Sequence, residues 1–502
     1  MDNRKYAGYI YCCFTDTKEE NVDVQQIHFF LSEDGLNWTA LNGNEPAFLA
    51  GSDFTDRVEP AGKNSVNYVV KDQRDIRETQ KGDASVLFPF EGKDHGVRDP
   101  YLIRGAKKDG SDADKIWLVA TDLNTHCQKY GDSQNLARNI CGSWPRMTNF
   151  GNGSRCLFIW ETTDWIHWER RYVDVGTEVN SCMAWAPEAI YNPAKDNYLV
   201  YWSARTADDA EARDRLYCNE TDDFITFGPT MLYEQEGFYK KYGPKGVEMN
   251  DGYGNIDTSQ LWVGDTLYRL VKDETDNHVE LMAAKTVFDP KFDRENLWDK
   301  VARNAKNQWE KVVFEEEKGW HFLDGTPADG KIWDYYDPKI KTGYELEGVR
   351  YEDKEALILL RKNDPLAIKT AEIVYHWYKD RAVGNHFERI PQEGIEKYRG
   401  AYEGATMFRF IDREEWCVMI DFYGDMSVRY EPYVTKDLSK ADSIRKLTGG
   451  YGRTGGDIGG HGTVIPITAE EYNRMLAYYN DPEKMTPKAR ANYHEIKKLP
   501  LK

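Results

Sequence analysis

The sequence predicts an all-β protein, a five-bladed β-propeller closed by N-terminal strands that join the last blade. Three observations predict it. A polar-x-Asp-aromatic turn recurs along the chain, an aromatic β-branched strand recurs before it, and five short segments open these units. Sheets repeated radially in this way make a propeller.

The turn appears first as Ser32-Glu33-Asp34-Gly35-Leu36-Asn37-Trp38. It returns as Thr162-Thr163-Asp164-Trp165-Ile166-His167-Trp168 and Thr221-Asp222-Asp223-Phe224-Ile225-Thr226-Phe227, and a shorter copy starts at Thr435-Lys436-Asp437-Leu438. Each follows an apolar strand, at 27–31, 156–160, 215–218 and 427–434. An Asp in such a turn bonds the backbone two residues on, and the aromatic covers the hairpin. The preceding strands lie at 6–14, 115–120, 197–203, 266–272 and 415–421.

The openers are Asp99-Pro100-Tyr101, Ala186-Pro187-Glu188, Ile256-Asp257-Thr258, Glu403-Gly404-Ala405 and His461-Gly462-Thr463. Pro100 removes a backbone donor, so Asp99 belongs at the first residue of its strand. The last opener lacks its following strands, and residues 6–38 supply strands that lack an opener. Together they complete one blade. A long sandwich would also give many short strands but leaves the two halves unexplained.

Two stretches stand outside the repeat. Residues 50–95 read as an extended polar loop. Residues 289–399 read as an insertion of mixed structure after the third blade, with a helix over 295–307 and strands at 356–360 and 371–378. Beyond Thr468 the chain reads helical, over 469–479 after a Thr cap and over 487–498. The domain reading is therefore one catalytic propeller over 1–480 and a helical tail over 481–502.

Composition narrows the partners. The 502 residues carry a net charge of -19, which argues against nucleic acid and against an anionic membrane surface. No apolar run is long enough to insert in a membrane. The 15 Trp and 32 Tyr suit flat, uncharged ligands such as sugars as well as core packing. The eight cysteines are scattered with no Cys-x-x-Cys pair, which argues against zinc. The opening residues lack the apolar core of a signal peptide. A secreted or periplasmic location after removal of a signal remains open beside a cytoplasmic one.

Inner strands of a propeller all begin near one end of the central channel. The openers therefore gather Asp99, Glu188, Asp257, Glu403 and His461, far apart in sequence. Glycosidic hydrolysis needs such a set: one carboxylic acid protonates the leaving oxygen, and one carboxylate activates water or attacks the sugar. A further carboxylate raises the pKa of the acid. Trp185 and Trp202 are candidates to stack on a sugar ring. Asn37, Asn152 and Asn219 fit the N-glycosylation pattern.

These openers resemble those of glycoside hydrolase family 43, five-bladed propellers acting on arabinose-, xylose- and galactose-containing glycans. The resemblance covers most of 6–283 and 400–472. It implies that Asp99, in Arg98-Asp99-Pro100, is the general base. It implies that Asp257, with Thr258 where the family has Pro, orients the acid and tunes its pKa. It implies that Glu403, with Ala405 in place of Pro, is the general acid. Trp185 and Glu188, in Trp185-Ala186-Pro187-Glu188, would bind substrate. His461 would line the channel, beside a water-coordinated cation, with calcium as the candidate ion; no cofactor is otherwise required. The resemblance implies inversion and an oligo- or polysaccharide substrate of plant type, α-L-arabinofuranoside foremost, with β-D-xyloside and β-D-galactofuranoside next. A second Glu-Gly pair, Glu347-Gly348, competes with Glu403. Glu403 is preferred because a repeat strand and a polar-Asp turn follow it. Fructoside-cleaving propellers share the Arg-Asp-Pro triplet, but their Trp-Met-Asn-Asp-Pro-Asn stretch and Glu-Cys acid do not occur here. The alternative is a propeller that only binds glycans.

Overall fold

The computed structural model describes residues 4–15, 26–47, 58–60, 68–70, 96–123, 155–179, 181, 183–205, 214–234, 254–274, 277–336, 344–346, 349–351, 382–397, 402–423, 429–454, 459–495 and 499–502. These form mostly β structure in several sheets, three of which hold four strands in chain order.

The first sheet runs Val97–Arg104, Ile116–Asp122, Cys156–Thr162 and Glu169–Asp174. The second runs Trp185–Asn192, Asn197–Ala204, Arg215–Thr221 and Met231–Glu234. The third runs Asn255–Val263, Thr266–Asp273, His278–Ala284 and Glu388–Arg389. The fourth runs Tyr402–Arg409, Trp416–Phe422, Arg429–Thr435 and Arg445–Lys446. In the fifth, Tyr6–Cys13 pairs antiparallel with Gly462–Thr468, placing Ile10 opposite Ile465. His28–Ser32, Asn37–Ala40 and Gly452–Thr454 complete it.

The second strands are buried on both faces, and Ile116–Asp122, Asn197–Ala204 and Trp416–Phe422 are apolar at most positions. Alternate side chains leave each strand on opposite sides. Tyr9, Tyr11 and Cys13 thus join a cluster with Phe408, Met419 and Tyr430 of the fourth sheet. Ile10 and Cys12 join one with Leu102, Leu118 and Trp160 of the first. Trp117 and Val119 meet Val200 and Trp202, and Leu199 and Tyr201 meet Leu267 and Val271. Leu270 and Leu281 meet Val418 and Ile420. The inner strands touch one another in the same order: first with second, second with third, third with fourth, fourth with fifth, and fifth with first.

The recurring turn has one bonding scheme. Asp34 Oδ1 accepts the amides of Leu36 and Asn37, both at 2.8 Å, while Ser32 Oγ accepts that of Gly35 at 2.9 Å. Asp164 does the same for Ile166 and His167, and Asp223 for Ile225 and Thr226. Asp437 accepts the amide of Ser439 at 3.0 Å.

Three expectations need correction. Asp99 is the third residue of its strand, Val97–Arg104, and not the first, because a bulge takes Asp99 and Pro100 out of the ladder and lets the strand begin before the proline. No helix spans 295–307: Asp299–Arg303 is a strand paired with Trp309–Glu315, in a separate four-stranded sheet with Gly319–Phe322 and Trp333–Tyr335. Asn304 Oδ1 accepts the amides of Lys306 and Gln308, and Asn307 takes a φ of 60°, so the polar run makes a hairpin turn. A single helical turn, Lys291–Arg294, precedes it. Nor is 50–95 wholly a loop, since Tyr68–Val70 extends the first sheet by pairing onto Glu169–Asp174, and Val58–Pro60 pairs in turn onto Tyr68–Val70. The expected strands at 356–360 and 371–378 lie outside the described residues, as do Glu347 and Asn152. The helices Ala469–Tyr479 and Pro487–Glu495 stand where expected, the first with Thr468 and Glu471 bonded as a reciprocal cap. Among the described residues no helix is long and apolar enough to cross a membrane.

Candidate active site

One local irregularity shapes the site. In four sheets the inner strand sets two residues against one on its neighbour, between Arg98 and Tyr101, Trp185 and Glu188, Ile256 and Ser259, and Glu403 and Thr406. The first residue of each bulge has positive φ: Asp99 at 52°, Ala186 at 44°, Asp257 at 49° and Gly404 at 53°. Bulges re-aim side chains at sheet ends. Asp99 and Asp257 occupy the bulge itself, Glu188 is the first residue after it, and Glu403 is the last before it. The carboxylates therefore converge without sharing one register position.

His461 is the point they converge on. Its Nδ1 lies 3.5 Å from Asp99 Oδ1 and 3.9 Å from Asp257 Oδ1, and its Nε2 lies 3.8 Å from Glu188 Oε1. Burial alone would favour a neutral ring, but Asp257, Glu188 and Asp99 outweigh it and push the imidazole up to about 10. Burial pushes the Glu188 carboxyl up to about 7 against the pull of His461. Burial also pushes Asp257 up to about 7. Tyr201 donates its hydroxyl to Glu188 Oε2 at 3.2 Å, and Thr121 donates to Asp99 Oδ2 at 3.1 Å.

Glu403 is held differently. Lys272 Nζ lies 2.8 Å from Glu403 Oε2 and 2.5 Å from Glu274 Oε1. Burial raises the Glu403 pKa, but Lys272, with Arg98 and His461 behind it, holds this carboxyl below the ordinary range. The amide of Gly404 donates to Asp257 Oδ2 at 3.1 Å, joining the two groups. Side-chain exposure separates the carboxylates: Glu403 keeps 26% and Asp99 15%, whereas Asp257 keeps 9% and Glu188 2%.

Sequence reasoning missed the residues behind this set, although a signal for them existed. Thr121, Ser203, Lys272 and Asp421 lie opposite the residue just before each bulge, namely Arg98, Trp185, Ile256 and Glu403. They close the second strands of the repeat, so the repeat itself aligns them. Thr121 Oγ1 accepts the amide of Ala186 at 2.8 Å, and Asp421 Oδ2 accepts that of His461 at 2.9 Å. Each fastens one sheet to the opener of the next.

Trp202 is fully buried, stacked on Tyr217, and donates Nε1 to Asn219 Oδ1, so it packs the core and cannot reach a sugar. Trp185 is half-buried at the first residue of its strand. Asn219 is buried, with its amide donated to Gly228 and Thr230, which removes it as a glycosylation acceptor. A calcium ion needs about six to eight oxygens at roughly 2.3–2.6 Å. Asp99, Asp257 and Glu188 close on His461 instead. Among the described residues no three His, Cys, Asp or Glu side chains converge to hold a metal ion. The residues here do not fit a directly bound calcium.

Buried carboxylates around one imidazole, two of them open to solvent, define a site for acid–base chemistry. Residues 69–345 and 357–473 match the family described as a probable glycosyl hydrolase domain, related to glycoside hydrolase family 43, and the chain belongs to that family. An α-L-arabinofuranosidase of Bifidobacterium longum is 25% identical over 238 residues, which are 46% of this chain and 18% of that one. The chain thus spans less than a fifth of the length of that curated relative. Among solved structures, an α-L-arabinanase of Cellvibrio cellulosa complexed with arabinohexaose is 9% identical, with 89% of this chain and 93% of that one covered at a TM-score of 0.32. An exo-β-1,3-galactanase of Clostridium thermocellum is 10% identical, with 72% and 50% covered at 0.32.

Proposed function

We propose that this chain hydrolyses glycosidic bonds with inversion, on a five-bladed β-propeller. The ring reading is supported by the shared sheet of Tyr6–Cys13 with Gly462–Thr468 and by the cyclic order of inner-strand contacts. One observation carries the chemical reading: of the grouped carboxylates, Asp99 and Glu403 keep the most solvent access. A base and an acid must both reach the substrate, and a sealed carboxylate reaches nothing.

In this reading Asp99 takes a proton from water as that water attacks the anomeric carbon. Thr121 and His461 hold its two oxygens. Glu403 gives its proton to the leaving oxygen. Asp257 orients Glu403 through the Gly404 amide. Glu188 and His461 shape the floor of the sugar pocket and Trp185 its side. Two carboxylates and water suffice, so no step runs through a cation.

The substrate proposed is a glycan bearing pentose or furanose residues, α-L-arabinofuranoside foremost, with β-D-xyloside and β-D-galactofuranoside behind it. The likeness to an α-L-arabinofuranosidase favours the first. A panel of aryl α-L-arabinofuranosides, β-D-xylosides and β-D-galactofuranosides, followed by proton NMR of the first-formed sugar, tests it. Release of an inverted furanose is expected. Binding without release would leave a glycan-binding propeller, and a retained anomer would remove the base role of Asp99.

A further inference from the structure

In the first and fourth sheets the next-to-last residue of the second strand grips the following sheet through an acceptor, whereas Ser203 Oγ at that position in the second sheet has no hydrogen-bond partner among the described residues. Thr121 and Asp421 accept a backbone N–H of the following opener. In the third sheet that position is Lys272, which has no acceptor to offer. The grip is inverted there. Lys272 donates to the side chain of Glu403 at 2.8 Å, and the Gly404 amide turns to Asp257 instead. Lys272 is 3% exposed, so its ammonium cannot withdraw into water. A second seat exists on Glu274, 2.5 Å from the same nitrogen.

An acid must carry a proton before it can give one, and an ammonium in contact favours the carboxylate. We propose that Lys272 is a positioning residue which holds Glu403 as a carboxylate in the free enzyme and shifts onto Glu274 when a glycan occupies the site. The inference rests on the reading of Glu403 as the acid. As Lys272 leaves, Glu403 takes one proton from solvent. That proton passes to the leaving oxygen as the glycosidic bond breaks, and Glu403 returns to Lys272 as a carboxylate. The device would make protonating power conditional on a bound sugar.

The surroundings of Glu403 are mixed. Asp257 comes from the third sheet, and Asp421 and Tyr423 from the fourth, while Arg98 reaches it from the first and His461 from the fifth. Glu274 lies beyond Lys272. With Lys272 removed, Arg98 and His461 remain as the cations among these groups.

The experiment is the pH dependence of kcat/KM for aryl glycosides with good and poor leaving groups. In Lys272→Met the alkaline limb should move up by about one pH unit or more, the usual effect of an opposite charge in contact. Lys272→Arg should keep the limb near its original place. Glu274→Gln removes the second seat and should move the limb down, which keeps the test alive if Lys272→Met does not fold. Limbs that stay put in both Lys272→Met and Glu274→Gln overturn the proposal. Glu403→Gln on the same substrates separates the two ideas. A loss independent of the leaving group shows that Glu403 is not the acid, and both readings fall. A leaving-group-dependent loss with unmoved limbs removes Lys272 alone.

Discussion

A side chain on Gly404 would collide with His461: an added Cβ would come 2.5 Å from Cγ of that ring. The φ of 53° at Gly404 adds a backbone reason for glycine, since a left-handed conformation costs other residues about 1–2 kcal/mol. Gly404→Ala should push the imidazole off Asp99 and Asp257 and turn Glu403 away. We expect kcat to fall by roughly 10²-fold, the scale of an ångström misplacement at a reacting centre. The five apolar clusters stay intact, so melting should remain cooperative. Steady-state kinetics beside thermal denaturation checks this, and near-normal kcat would refute it.

Asp99→Asn and Glu403→Gln should differ in their leaving-group dependence. Without the base the water stays unactivated, so Asp99→Asn should cut turnover of activated and natural substrates alike. Glu403→Gln should hurt least for weakly basic phenolates, which leave without a proton. Each effect is expected at about 10²–10⁴-fold. Equal losses across leaving groups for Glu403→Gln would argue against its role.

The repeat was legible because its residues are dictated locally. The polar-x-Asp turn needs its Asp for the backbone amides, and the second strands are buried on both faces. The ends of the chain could be matched because each lacks what the other has. The hairpin of 299–315 was misread because its strand Asp299–Arg303 carries Lys300 and Arg303, with no clean alternation. The ion pair of Lys272 with Glu403 was invisible because it joins two sheets 131 residues apart. The bulge register bears out what the repeat aligns, that Lys272 shares its position with Thr121 and Asp421.

Removing the imidazole should expose the repulsion it offsets. In His461→Gln the carboxylates of Asp99, Glu188 and Asp257 lose their shared cation. Glu188 and Asp257 already sit near 7 with the imidazole present, well above unfolded carboxylates. Raised folded pKa values mean that folding takes up protons below about 7, so stability falls as pH rises through that range. The imidazole itself is raised from about 6.5 to about 10, so the contribution of His461 is fully present below about 6.5 and is lost as pH rises toward 10. The melting temperature of His461→Gln should therefore trail wild type most near pH 6, and the gap should shrink toward pH 10. A gap that widens steadily from pH 6 to pH 10 would contradict the charge cluster.

Asp257→Asn tests orientation against charge. An Asn oxygen can still accept the Gly404 amide, while Ala leaves that buried donor unmet. Asp257→Ala should lose at least about tenfold more kcat than Asp257→Asn, consistent with the cost of an orphaned buried group. Losing the negative charge should move the alkaline limb to lower pH. Lys272 dominates the charge on Glu403, so this shift should be smaller than the upward one in Lys272→Met. A larger shift in Asp257→Asn would make Asp257 the main tuner of the acid.

The helix Ala469–Tyr479 is seated by Glu471, which serves stability and not catalysis. Arg104 NH1 and NH2 donate to the two oxygens of Glu471 at 2.8 Å each, and Trp165 Nε1 donates to Oε1 at 3.0 Å. Glu471 also closes the cap on Thr468, accepting its amide at 2.8 Å. Burial raises the Glu471 pKa, but Arg104 and the cap hold it below the ordinary range. A depressed carboxyl stabilises the fold above its unfolded pKa of about 4.3 and loses that contribution as pH falls further. Glu471→Ala removes a cap and leaves a half-buried Arg104 unpaired, which together should cost about 2–4 kcal/mol near pH 7. The deficit should narrow below about pH 4. Because Glu471 lies on the rim between the first and fifth sheets, kcat per folded molecule should stay at the wild-type value. Denaturation at pH 7 and pH 3.5, with kcat at 25 °C, decides it: a pH-independent deficit would mean that packing of the helix, and not the Arg104–Glu471 pair, holds it in place.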